Sequence, residues 1–234
     1  MFQFLNIIKE IKSKDSKKKL NVVLERAKQI KLKNGNDGLH DYIRALLYPS
    51  MYMHLYECLT AHDHNAPPPL NYIDLFPGNE FQLHLNEVDQ SESQYQVNLG
   101  KDIIFTTPWN PQRIVSHIGY ISHKVPFKED TTNHHIVTYI PLQISIVSSG
   151  NHSIMQGILN KDGIIHPEYV YNLSNELKRY SYTGTHWFDN VTKEEIPVHN
   201  HDIGLAWEVS KLLVKMTSNS SQGWFMSLYE SPKM

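Results

Sequence analysis

The stretch from Ile140 to Asn160, I-P-L-Q-I-S-I-V-S-S-G-N-H-S-I-M-Q-G-I-L-N, constrains the fold more than any other part of the chain. Ile144, Ile146 and Val147 make an apolar, β-branched run bounded by Pro141 and Gly150, the pattern of a buried strand. Ile154, Ile158 and Leu159 then recur at the spacing of a short amphipathic helix. A strand that feeds a helix this directly needs a tight turn, and Gly150 supplies the backbone freedom for it. Asn151, His152 and Ser153 fall at the start of that helix, where unpaired N–H groups and the dipole favour an anion. The turn is therefore expected to hold a phosphate or carboxylate.

A second strand-to-helix passage precedes it. Thr107-Pro108-Trp109-Asn110-Pro111-Gln112-Arg113 places a capping Asn before a Pro suited to the first helical position, with Ile114, Ile118 and Ile121 as the expected buried face. Trp109 offers a ring that can stack on a base, and Arg113 a guanidinium that can bind phosphate. A core tryptophan and a surface arginine are the plainer reading of the same two residues. Asn133-His134-His135 leads into a strand expected to run through Pro141 into the next. Adjacent strand residues point to opposite faces, so only one of His134 and His135 can face a given site.

The rest of the chain supplies the frame. Phe4, Ile7, Ile8 and Ile11, then Leu20, Val23, Leu24, Ala27 and Ile30, predict two amphipathic helices separated near Asp15-Ser16. The Asn34–Gly38 cluster ends the second, and Leu39 to Leu47 predicts a third that Pro49 stops or kinks. Ala66-Pro67-Pro68-Pro69 reads as a linker. The expected organisation is a helical region over 1–66, a linker and connecting segment over 67–93, a mixed α/β core over 94–216 and a tail over 217–234. Within the core, strands are expected near 102–106, 135–147 and 181–188, and a long helix from Asp202 to Met216.

Charge is divided unevenly. Residues 1–33 carry ten Lys and Arg against three acids, so the N-terminal arm is basic and the body acidic. Such an arm can track the phosphates of nucleic acid, although a solvated lysine-rich helix face has the same composition. The single Cys58 forms no internal disulfide and fits a reducing compartment, and no apolar run reaches the roughly 18–20 residues of a membrane span. With no basic-then-apolar leader at the N-terminus, the expected location is the cytoplasm. His62-Asp63-His64 and His199-Asn200-His201 lack a third ligand in sequence, so no metal site is assigned; a divalent metal accompanying a nucleotide is the one cofactor considered.

The succession P-W-N-P-Q-R-I (108–114), N-H-H (133–135) and G-N-H-S-I with a following G-I-L (150–159) resembles an uncharacterised bacterial family associated with plasmids, integrated elements and prophages. The resemblance spans roughly Ile104 to Lys215. It implies that Trp109, Asn110, Arg113, Asn133, His134, Gly150, Asn151, His152 and Ser153 form a shared site, without implying a reaction. More distantly, the chain is similar to the ParB and sulfiredoxin superfamily, whose members hold nucleotide phosphates on a Gly-x-His-Arg turn between strand and helix. Gly150 and His152 match that turn, Ser153 stands where the arginine would be, and Ser149 where many relatives have an acid. The resemblance implies a ParB/sulfiredoxin-like α+β core carrying the N-terminal helices as an appendage, with Arg113 supplying the missing charge.

Two functions fit the sequence. One is a nucleotide- or phosphate-binding protein of a mobile element or prophage that hydrolyses or transfers a phosphoryl or phosphodiester group, as a nuclease or nucleotide hydrolase, with His152 as general acid or base and Arg113 countering charge. The other is a non-catalytic sensor of nucleotide or nucleic acid, or a protein-binding adaptor or inhibitor, in phage defence or anti-defence. In both, the partner is a phosphate-bearing small molecule or a nucleic acid.

Overall fold

The computed structural model describes residues 2–62, 70, 75–77, 86–88, 95–121 and 124–214, with side chains described from residue 14 onward. Asp63, His64, the polyproline segment and the 217–234 tail lie outside the described residues. The fold is mixed α/β, with a long N-terminal helix and several sheets.

Helix α1 runs from Phe2 to Thr60 and breaks its helical geometry at Gly35, which has φ 67° and ψ −153°. No separation occurs at Asp15-Ser16, where the helix is continuous. Nor does Pro49 stop it. The carbonyl that a proline leaves unpaired is the one four residues earlier, here that of Ala45, and both residues are exposed, so water can satisfy it. Leu39, Ile43, Leu47, Met51 and Leu55 repeat every fourth residue along one face, and all are buried.

Among the described residues the strands form three sheets. The largest has five strands in the order β1 (Asn86–Glu87), β7 (Tyr169–Asn172), β4 (His135–Ile140), β5 (Ile144–Ser149) and β3 (Ile103–Phe105). Strand β4 is antiparallel to β5 and parallel to β7, and β3 is parallel to β5. A three-stranded antiparallel sheet joins β8 (Tyr180–Tyr182), β9 (His186–Asp189) and β10 (Glu195–Pro197), and β2 (Val97–Asn98) pairs with β6 (Ile164–Ile165). Among the described residues, four shorter helices with full bounds follow α1: α2 (Pro111–His117), α3 (Asn151–Asn160), α4 (Ser174–Arg179) and α5 (His201–Ser210).

Three further expectations change. The 135–147 run is not one strand through Pro141, because residues 141–143 turn the chain back and Gln143 takes φ 56°, giving the β4–β5 hairpin. Helix α5 stops at Ser210, after which Leu212 and Leu213 donate to carbonyls three residues back, a tighter turn that ends the α-helix. The N-terminal helix is not an appendage: Leu20, Val23, Ala27, Leu39, Ile43 and Leu47 share one hydrophobic cluster with Ile103, Phe105, Ile144 and Trp207. It packs along α5 and β3. Lys17, Lys18 and Lys19 are exposed, yet the backbone at Ser16 and Lys17 passes so close to Gly184 that a Cβ there would lie 3.1 Å from Lys17 Cα. The arm lies on the hairpin tip rather than standing free of it.

If α1 is a wall of the core, Ile43→Ala, which empties a site 1% exposed, costs about 2–4 kcal/mol of unfolding free energy. Chemical denaturation checks this, and a loss under about 0.5 kcal/mol would mean that the helix is peripheral.

Candidate functional site

Strands β3 and β5 lie side by side and parallel, so both reach their carboxyl ends at the same edge of the sheet. Each then passes into a helix, β3 through Thr106–Asn110 into α2 and β5 through Gly150 into α3. The start of β4 arrives at the same edge, since His135 pairs with Ser149. Crevices outside the carboxyl ends of parallel strands are where open α/β sheets bind ligands. Here the crevice is a cavity of about 260 Å³ lined by Trp109, Arg113, His117, Asn133, Ser148 to Asn151, His152 and Ser153.

The turn is built from Gly150 outward. Gly150 has φ 79°, and a Cβ on it would lie 2.5 Å from His134 Cδ2, so both backbone and packing require glycine. Asn151 Oδ1 accepts from Thr106 Oγ1 at 2.9 Å and from the Thr107 N–H at 2.7 Å, tying the turn to the end of β3. Acceptance from a backbone N–H fixes the amide orientation, so Asn151 presents its NH₂ as the remaining polar group. Thr107 Oγ1 lies 2.9 Å from His54 Nε2, linking α1 to the same joint. Ser153 Oγ donates to the Gly150 carbonyl at 3.0 Å and lies 2.7 Å from His134 Nε2. His134 Nδ1 accepts from the Asp130 N–H at 3.0 Å, so Nε2 carries the proton and donates to Ser153. The ring also stacks on Phe127 at 5.2 Å, and burial holds its pKa below the ordinary imidazole value.

His152 is 5% exposed, and its Nε2 accepts from the Asn110 N–H at 3.1 Å. Burial, followed by the nearby His117 and Arg113, lowers its pKa, so the ring is neutral around pH 7 with the proton on Nδ1. Asn110 is committed as well: its side chain accepts from the Arg113 N–H at 3.0 Å and caps α2. Arg113 is exposed and its guanidinium makes no hydrogen bond or ion pair among the described residues.

The sequence-predicted residues therefore divide. Trp109, Arg113, Asn133, Gly150, Asn151, His152 and Ser153 come together around one cavity. Asn110 and His134 brace it from behind without lining it. His135 leaves the site: it lies on the opposite side of the strand, with Nδ1 3.2 Å from Glu168 Oε2, as strand alternation requires. Ile114, Ile118 and Ile121 are not a buried face, because α2 has no buried residue; it packs against α3 with His117 beside His152. Trp109, 54% exposed, is a rim residue.

Sequence reasoning missed His117, Ser148 and Ser149. His117 follows Arg113 by four residues on a helix whose cap was legible, so the two share a face, and that spacing was the available signal. Among the described residues no group of three or more His, Cys, Asp or Glu could hold a metal, and no helix is long and apolar enough to cross a membrane. His201 of the His199-Asn200-His201 run is 2.7 Å from the Tyr182 hydroxyl, and Asn200 caps α5. Cys58 is buried, which pushes its thiol up to about 11.

A model of a family of unknown function, DUF6710, matches residues 5–220 of the chain. The chain belongs to that family. No curated protein and no solved structure matches it. The DUF6710 match takes in α1 as well as the sheets, in keeping with the single hydrophobic cluster that joins them.

Gly150→Ala strains the backbone and drives a methyl group into His134, and should cost at least about 2 kcal/mol of stability. Denaturant unfolding measures it. A cost near zero would show that the turn tolerates a Cβ and is not the rigid joint described here.

Proposed function

We propose that the cavity at the carboxyl ends of β3 and β5 binds the phosphate end of a nucleotide or other phosphate-bearing ligand. The observation that carries this is the character of the lining: a guanidinium with no partner among the described residues, the uncapped start of α3, the His152 Nδ1–H and the Asn151 NH₂, with no acidic residue among them. Donors and positive charge without a carboxylate select an anion. At about 260 Å³ the space is below the ~300–1,000 Å³ usual for a whole small-molecule ligand, so it suits a charged end group. The remainder of the ligand would extend over exposed Trp109, whose indole can stack on a base.

His152 acts in this reading as a fixed neutral donor to a phosphate oxygen rather than as a general base, since its Nε2 lone pair is occupied by Asn110. Binding without turnover at His152, as in a sensor, is thus favoured over hydrolysis through it. The Gly150-Asn151-His152-Ser153 turn between strand and helix supports the distant likeness to ParB and sulfiredoxin, with Arg113 in place of the missing arginine. Together with the motif resemblance to plasmid and prophage proteins and the lone, buried Cys58, it supports a cytoplasmic role in a mobile element.

A thermal-shift panel of nucleoside mono-, di- and triphosphates, sugar phosphates and inorganic phosphate tests the proposal. At least one should raise the melting temperature, since a ligand confined to the folded state adds about 2.7 kcal/mol at a hundredfold excess over its Kd. Arg113→Gln should weaken that ligand by about 10–100-fold and, because Arg113 is exposed, leave the unliganded stability within about 0.5 kcal/mol. No shift with any phosphate, or one unchanged in Arg113→Gln, would refute it.

A further inference from the structure

The two histidines of the cavity are held in opposite tautomers. His117 Nδ1 lies 2.8 Å from the carbonyl oxygen of Arg113. A carbonyl only accepts, so Nδ1 carries the proton and, in the neutral ring, Nε2 on the far edge is a bare lone pair. His152 is the reverse: its Nε2 accepts from the Asn110 N–H, which leaves the proton on Nδ1. That Nδ1–H has no hydrogen-bond partner among the described residues, although His152 is 5% exposed. The ring centroids are 6.0 Å apart, and both side chains line the cavity with Arg113. His117 Nε2 thus stands as an acceptor that cannot turn into a donor, beside the donors of Arg113, His152 and Asn151, around a cavity of about 260 Å³.

That arrangement does not suit every oxyanion. Sulfate and a phosphodiester present oxygens that only accept, which sets lone pair against lone pair at His117 Nε2. Hydrogen phosphate has the same shape and charge as sulfate but carries one O–H. Building on the phosphate-site reading above, we infer that His117 is the fixed proton acceptor among the histidines of this cavity, and that the site prefers an oxyanion with an O–H at its edge to one that only accepts. Hydrogen phosphate and a phosphate beside a ligand hydroxyl both meet that requirement. Arg113 and His152 hold the accepting oxygens, and His117 reads the proton. The same lone pair is the one histidine nitrogen lining the cavity that could take a proton from a water or hydroxyl without breaking a protein hydrogen bond.

Titration calorimetry of the full chain at about pH 8, where inorganic phosphate is the dianion that keeps one proton, compares inorganic phosphate with sulfate at matched ionic strength. Phosphate should bind about 10–100-fold more tightly, the range expected when a polar group is left without its partner. His117→Ala should bring the two anions within about threefold of each other while sulfate binds no more weakly than before. Because α2 buries no residue, this variant should keep the wild-type melting temperature. Arg113→Gln should weaken both anions and preserve their ratio, since it removes charge and not the acceptor. Equal binding of phosphate and sulfate by the unaltered chain, or a preference that survives in His117→Ala, would overturn the inference and leave the phosphate site standing. Binding of neither anion would overturn the site itself.

Discussion

The amide oxygen of Asn151 holds two chain passages together. By accepting from Thr106 Oγ1 and the Thr107 N–H, it locks the start of α3 to the end of β3. The parallel pairing of β3 with β5 brings these segments to one edge, and the Asn151 bonds fix how closely the two loops approach. Everything at the cavity follows from that spacing. With β3 and α3 joined, His152 reaches the Asn110 N–H, Asn110 caps α2, and α2 carries Arg113 and His117 over the same space. On the other side, Ser153, His134 and Phe127 form a second chain of contacts that keeps the Gly150 turn from opening. Part-buried hydrogen bonds of this kind are individually worth about 1 kcal/mol, but leaving any one partner unpaired costs more, so such a network behaves as a unit.

Much of this was legible in the sequence because it is local. Gly150 between a β-branched run and an amphipathic run marks a strand-to-helix turn, and Asn110-Pro111 marks a helix start; both occur where the residues put them. The convergence of Arg113 with the Gly150 turn follows from two adjacent strand-to-helix passages. What was not legible depends on long-range pairing. Asp15-Ser16 and Pro49 are local helix breakers, yet α1 passes both because its buried face packs along α5 and β3. His134 and His135 could not be told apart until the register of β4 against β5 set which faced Ser153. His117 carries no motif of its own and gains interest only because α2 lies across α3.

The structure also alters what the most conspicuous residues contribute. Asn151, His152 and Ser153 look like a polar catalytic cluster in sequence, but each spends one side-chain function on the scaffold: Asn151 on β3, His152 on Asn110 and Ser153 on the Gly150 carbonyl. What they leave for a ligand is mainly N–H. A neutral imidazole donating from Nδ1 can stabilise negative charge without being consumed by it, which suits the proposed recognition of an oxyanion. In the proposed reading, the site combines these fixed donors with the exposed charge of Arg113 and the Nε2 acceptor of His117.

Long-range proton–nitrogen NMR of the histidine rings tests this account most directly, because it reports which ring nitrogen carries the proton. Near neutral pH, His152 should appear as the neutral Nδ1–H tautomer with an unprotonated Nε2, and saturating inorganic phosphate should shift its Nδ1 resonance more than its Nε2. A His152 protonated on Nε2, or one whose Nδ1 is indifferent to phosphate, would contradict both the Asn110 tether and the cavity's role as an anion site.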